Sequence, residues 1–404
     1  MIFVSISRVK PSLEPKYYRR RRITAVVIAL ILVALAVGIG GVVQGKTGWS
    51  PFKNDEQNSA QDSEDDNEPV NTSPVAVKPE EDPDPRAKPK AELRRVAKFS
   101  PIPNPPKPGE TKEIIVKSDG MLRKYVLNVP KEASWLNSSG KPLPLIMGYH
   151  GYREAAEHMD RYAGLSNRGA IAVYPAGMGR AWEGAPYAVT KDGQDLRFTK
   201  KILDEVSSTY RVDKRRVYAT GMSNGGGFAA KLACEMPEEF SAIAAVAGAY
   251  YPGTWKGCAN KESDPEKPRS VRFDKGRTVP FLEMHGRKDQ LIQYKGGNLH
   301  HTPYLGAVRL ASLYASRAQC FGAPQTTDVT STVLRIKWPG CPKNAEVIHV
   351  AVKDAGHTWP GELTGLAGAA AAKGTLGDRE KKERTSKSLF AASEIEQFFD
   401  RHVR

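Results

Sequence analysis

From residue 111 to the C-terminus, short apolar runs alternate with amphipathic stretches, and that alternation limits the fold more than any other feature of the chain. Residues 143–149, 170–174, 216–220, 240–247, 279–284 and 346–352 are apolar runs of strand length. Residues 195–210, 225–235, 305–317 and 386–402 read as helices, the first and last of them amphipathic. Buried strands separated by helices require right-handed crossovers, and these give a mostly parallel sheet with helices on both faces. A hairpin opens the pattern: residues 113–117 and 122–129 flank Ser118-Asp119-Gly120, and Asp-Gly suits a tight turn with positive φ angles. One α/β domain over residues 111–404 is expected.

The remainder of the chain is organised by charge. Arg19, Arg20, Arg21 and Arg22 precede a run without charge, residues 23–43. Such a run can cross a hydrocarbon core of roughly 30 Å, and arginines on its N-terminal side hold that side in the cytoplasm. The expected order is a cytoplasmic basic segment (1–22), a transmembrane anchor (23–43) and an extracytoplasmic remainder. The rival is a cleaved signal peptide, whose apolar region is usually about 7–15 residues; the protein would then be secreted. Residues 44–110 are rich in Pro, Asp, Glu, Lys and Ser and poor in large apolar groups, so a disordered acidic and Pro-rich linker is expected.

Four cysteines, Cys234, Cys258, Cys320 and Cys341, suit disulfides in an oxidising exterior. Three pairings are possible, and the sequential one closes two loops worth roughly 3 kcal/mol each. The net charge of +15 leaves residues 55–84 acidic and the rest basic. No arginine-rich tract interleaved with aromatics occurs in the folded part, which argues against a nucleic-acid partner.

Between two apolar runs lies Gly221-Met222-Ser223-Asn224-Gly225. Glycines at both two-residue offsets permit the sharp strand-to-helix turn that thrusts a serine hydroxyl out as a nucleophile. Ser223 then needs a base, an acid to orient it, and donors for an oxyanion. Asp289 follows the strand at 279–284 and His357 follows the strand at 346–352, giving the chain order Ser, Asp, His. Of the eight histidines, His349 alternates within a strand, His402 lies in the last helix, and His300 and His301 occupy a polar loop. His357, flanked by glycine after the final strand, is the expected base. Asp354 is the rival acid, but it lies only three residues from His357. The N–H groups of Asn224 and Tyr152 are the expected oxyanion donors. His150 is expected to brace its loop, and Trp182 and Trp359 are candidates for contact with substrate. No metal site or cofactor is expected.

Tyr218 to Gly227, His285-Gly286-x-x-Asp289, Tyr294-x-Gly296-Gly297 and Gly356-His357-Thr358-Trp359-Pro360-Gly361 resemble the polyhydroxybutyrate depolymerase and feruloyl esterase family of α/β-hydrolases. The resemblance runs from about residue 112 to 401. It implies hydrolysis of carboxylic esters through an acyl-serine intermediate, with Ser223, Asp289 and His357 in the roles above. Two departures stand out: Gln293 where the family often has proline, and an alanine-containing insertion at 363–387. The expectation is an exported serine esterase acting on feruloyl or acetyl polysaccharide, polyhydroxyalkanoate or small esters. An envelope acyltransferase of the same fold and a non-catalytic surface-binding domain are the alternatives.

Overall fold

The computed structural model describes residues 100–342, 345–362 and 384–404. The expected cytoplasmic segment, the anchor, the linker up to residue 99 and the insertion from 363 to 383 lie outside the described residues. Among the described residues no helix is long and apolar enough to cross a membrane.

A ten-stranded sheet forms the centre. Its strands are β1 (Thr111–Ser118), β2 (Met121–Asn128), β3 (Leu143–Tyr149), β4 (Ile171–Pro175), β5 (Val212–Met222), β6 (Ala242–Val246), β7 (Phe281–Gly286), β10 (Gln325–Asp328), β11 (Val333–Lys337) and β12 (Val347–Val352). A separate hairpin pairs β8 (Gly296–Leu299) with β9 (Thr302–Leu305). The sheet order is β1-β2-β4-β3-β5-β6-β7-β12-β11-β10. Strands β4, β3, β5, β6, β7 and β12 run parallel, and antiparallel strands extend both edges. This is the α/β-hydrolase fold.

The two faces follow from the period-2 alternation of side chains. Leu145, Met147 and Tyr149 point to one core with Val217 and Ala219, whereas Ile146, Tyr218 and Met222 point to the other. Helices α2 (Gln194–Thr209), α3 (Asn224–Glu235) and α4 (Ala307–Arg317) cover the first face. Helices α1 (Ala156–Ala163) and α5 (Ala391–Asp400) cover the second, where Ile395, Phe398 and Phe399 are buried at about 1.5–3 kcal/mol apiece. The β1–β2 turn forms at Asp119 and Gly120, with φ of 50° and 78°.

Packed chain begins before residue 111, which corrects the linker boundary. Ile102 is buried and its N–H donates to Thr209 Oγ1 at 2.9 Å, while the Tyr210 hydroxyl donates to the Pro106 carbonyl. Ile102 and Pro106 are both buried, and the Gly109 N–H donates to the Val129 carbonyl, so this strap is docked along its length.

The disulfides are Cys234–Cys258 and Cys320–Cys341, the sequential pairing. At the C-terminal side, Gly356 N–H donates to the Arg384 carbonyl at 2.9 Å and Gly361 N–H to the Ser386 carbonyl at 2.8 Å. Residues on either side of 363–383 are thereby stitched together.

Candidate active site

Ser223 sits between the end of β5 and the start of α3, with φ 56° and ψ −119°. A non-glycine residue there carries strain of about 1–3 kcal/mol. Three backbone hydrogen bonds hold it: Ser223 N–H donates to the Val246 carbonyl, and the Ser223 carbonyl accepts from Gly227 and Ala249. The flanking glycines are required sterically. A Cβ on Gly221 would lie 2.2 Å from the Gly225 carbonyl oxygen, and one on Gly225 would lie 2.0 Å from that of Tyr149.

Asp289 and His357 come from loops beyond the C-terminal ends of β7 and β12, which are neighbours in the sheet. Those loops are knitted together: Arg287 N–H donates to the Val352 carbonyl and Lys288 N–H to that of Ala355. Gly286 allows the contact, since a Cβ there would meet the Gly356 carbonyl oxygen at 2.3 Å. The result is a hydrogen bond from His357 Nδ1 to Asp289 Oδ2 at 2.8 Å, with both residues buried. His357 Nε2 is buried without a hydrogen-bond partner among the described residues. Asp289 Oδ1 accepts the N–H groups of Leu291 and Ile292. Burial pushes its carboxyl upward, but His357 and the hydrogen bonds from His285 and His357 outweigh this and hold it down at about 2. Asp354 makes its ion pair with Arg384, at 3.8 Å, while the carboxylate that bonds His357 is that of Asp289.

The loop after β3 carries Tyr152, the expected donor, between N–H groups that are already bonded. Gly151 N–H donates to Glu154 Oε2, Arg153 N–H to the Arg180 carbonyl, and Glu154 N–H to the Gly151 carbonyl. Tyr152 N–H lies between them. Asn224 opens α3, where the first N–H groups of a helix lack intrahelical acceptors and the dipole favours negative charge. Its side chain clamps the Trp182 backbone, accepting from Trp182 N–H at 2.7 Å and donating to the Trp182 carbonyl at 3.3 Å.

His150 is a brace. Its Nδ1–H donates to the Gly151 carbonyl at 2.8 Å and its Nε2 accepts from Gly177 N–H at 3.0 Å. Burial pushes its pKa down to about 4, so it is neutral at pH 7. Both tryptophans expected near the substrate are buried. Trp182 is wholly buried, donates Nε1–H to the His150 carbonyl and stacks on Phe228. Trp359 is 1% exposed and lies 5.9 Å from the Tyr162 ring. The partners of both come from chain segments distant in sequence.

Two groupings are absent from the sequence reading. Tyr152, Tyr187 and His300 form a partly exposed aromatic cluster, with ring centroids 4.0 Å apart for the tyrosines and 4.7 Å for Tyr187 and His300. Behind Asp289 runs a polar chain of buried His285, Glu283 and His349 that ends at the half-buried Tyr294. Glu-x-His on a buried strand was its signal, because residues two apart share a face. At Gln293 the N–H donates to the Tyr304 hydroxyl at 2.9 Å, a bond that proline could not make.

Residues 158–297 match the prolyl oligopeptidase family. The chain is 27% identical over 293 residues to "Putative esterase NocK" of Nocardia uniformis subsp. tsuyamanensis, covering 66% of this chain and 79% of that protein. It is 28% identical over 184 residues to "Probable feruloyl esterase C" of Aspergillus niger, covering 43% of this chain and 58% of that protein, and so spans little more than half of the latter. Among solved structures, an acetyl xylan esterase from Aspergillus awamori superposes with a TM-score of 0.46 and 18% identity, over 62% of this chain and 94% of that one. The chain is an α/β-hydrolase by fold and a carboxylic ester hydrolase, similar in sequence to feruloyl esterases.

Proposed function

We propose that this protein is an exported serine esterase in which Ser223 attacks the ester carbonyl, His357 takes the serine proton and Asp289 orients His357. The observation that carries the reading is the buried His357–Asp289 hydrogen bond of 2.8 Å, which leaves Nε2 as the free face of the imidazole. The N–H groups of Tyr152 and Asn224 would hold the oxyanion of the tetrahedral intermediate. His357 then protonates the departing alcohol, and water regains its help in deacylation. Export is supported by the two disulfides and by the arginine-flanked apolar run at residues 23–43, which would anchor the enzyme in the membrane.

The acyl or alcohol ring of the ester would lie against Tyr152, Tyr187 and His300, because Tyr152 is also an oxyanion donor. Feruloyl esters therefore lead the candidates over aliphatic polyesters. The test is hydrolysis of methyl ferulate and p-nitrophenyl acetate by the full-length chain, with fluorophosphonate labelling. Ser223→Ala should abolish both reactions and the label. Equal rates for Ser223→Ala and the parent would overturn the assignment. Release of free acid rather than acylated sugar, in the presence of a sugar acceptor, separates hydrolysis from acyl transfer.

A further inference from the structure

We infer that His285 is a positioning residue, held as an imidazolium between Glu283 and Asp289, that sets the net charge which Asp289 presents to His357. The inference rests on the proposed triad for its catalytic consequence, but not for its charge.

Both ring nitrogens face acceptors. His285 Nδ1 lies 3.1 Å from Glu283 Oε1. Nε2 lies 2.8 Å from the Ile292 carbonyl oxygen and 3.1 Å from Asp289 Oδ2. A neutral imidazole would turn a lone pair toward one of these oxygens; the imidazolium donates on both sides. Nor is either carboxylate short of other donors. Glu283 Oε1 accepts from the Tyr250 hydroxyl at 2.9 Å, and its Oε2 accepts from His349 Nδ1. His349 needs only its neutral form, since the Tyr294 hydroxyl can donate to its Nε2 at 2.7 Å. Asp289 is filled by Leu291, Ile292 and His357.

The groups facing His285 are thus Glu283 on β7, Asp289 on the following loop, and the Tyr294 ring at 6.0 Å; His349, His357 and Tyr250 act through the two carboxylates. All the members nearest His285 are buried. Two buried carboxylates without a cation would be costly, and one imidazolium leaves a single net negative charge beside His357. Burial works against a charged His285, but its bonds to Asp289 and Glu283 overcome it and push its pKa up to about 10.

Opposite effects follow from removing the two charges. His285 Nε2 and His357 Nδ1 share Asp289 Oδ2, so they lie within about 6 Å of each other. A unit charge at that range, at an effective dielectric of about 20, moves a titration by about one to two pH units. His285→Gln leaves two uncompensated carboxylates and should shift the acid limb of the kcat/KM profile upward by that amount. Glu283→Gln leaves the cation less balanced and should shift the limb downward.

The direct test is nitrogen NMR of the full-length chain labelled with 15N-histidine. One imidazolium-type pair, absent in His285→Gln, should persist at pH 8.5 in both the parent and Ser223→Ala. A pyridine-type nitrogen on His285 at pH 7 overturns the charge. Limb shifts of the same sign in the two variants, or lost kcat with unmoved limbs, overturn the positioning role. If Ser223→Ala hydrolyses esters normally, the esterase reading fails while the NMR still decides the charge. Should His285→Gln not fold, the parent spectrum and Glu283→Gln suffice.

Discussion

Gly225→Ala probes how the nucleophile turn is held against the oxyanion loop. The added Cβ would start 2.0 Å from the Tyr149 carbonyl oxygen, 2.5 Å from its carbon and 2.6 Å from the His150 carbonyl oxygen. Relief to ordinary contact at 3.4 Å needs a separation of more than 1 Å, and every atom met is backbone. Tyr149 ends β3, which is hydrogen-bonded to β4 and β5 and cannot recede. The first turn of α3 must therefore move, and Asn224 N–H moves away from Tyr152 N–H. Misplacement by about 1 Å costs on the order of 100-fold, and loss of an oxyanion donor about 100- to 1000-fold. Overpacking should also cost about 1–3 kcal/mol of stability. The assay is kcat/KM on p-nitrophenyl acetate beside urea denaturation of the same preparation. A folded variant that keeps kcat/KM within roughly threefold, well short of those losses, would refute the link between this contact and the donors' alignment.

Other outcomes are open to measurement. Trp182→Phe removes the donor to the His150 carbonyl and some volume; it should cost about 2 kcal/mol in a urea melt and slow hydrolysis less than tenfold. Cys234→Ser with Cys258→Ser should lower stability by about 3 kcal/mol, with Cys320 and Cys341 still bonded in a thiol titration. Stability should also depend on pH in two windows. Folding raises His285 from about 6.5 to about 10, so its contribution is complete below about 6.5 and is lost as pH climbs to about 10, a matter of a few kcal/mol. Glu283 and Asp289, held near 2, contribute above the ordinary carboxylate range, and that part is lost as pH falls toward 2. Urea midpoints at pH 6, 8 and 9.5 should fall in the parent and flatten in His285→Gln.

What could be read without coordinates was whatever local pattern decides. The strands at 143–149 and 346–352 were marked by apolar runs, and the hairpin by Asp119-Gly120. Helix α1 escaped because its eight residues are short and half polar. The β8–β9 hairpin turns through His300 and His301, whose φ angles of 56° and 57° are ones that asparagine or glycine would have advertised. Strand β10, Gln-Thr-Thr-Asp, is wholly exposed and carries no apolar signal. In the candidate site, Ser223, Asp289 and His357 stood out as candidates because each follows a strand. The surroundings of Trp182 were not legible, because they come from Asn224 and Phe228, more than forty residues away, and spacing says nothing of that.

The bonds from Gly356 to Arg384 and from Gly361 to Ser386 have a thermodynamic consequence. They close a sutured neck between residues 356–361 and 384–386. Doubling the length of such a closed loop costs only about 0.6 kcal/mol. The seat of His357 is thus set by bonds across the neck, and a change in the length of chain that the neck closes carries little thermodynamic risk.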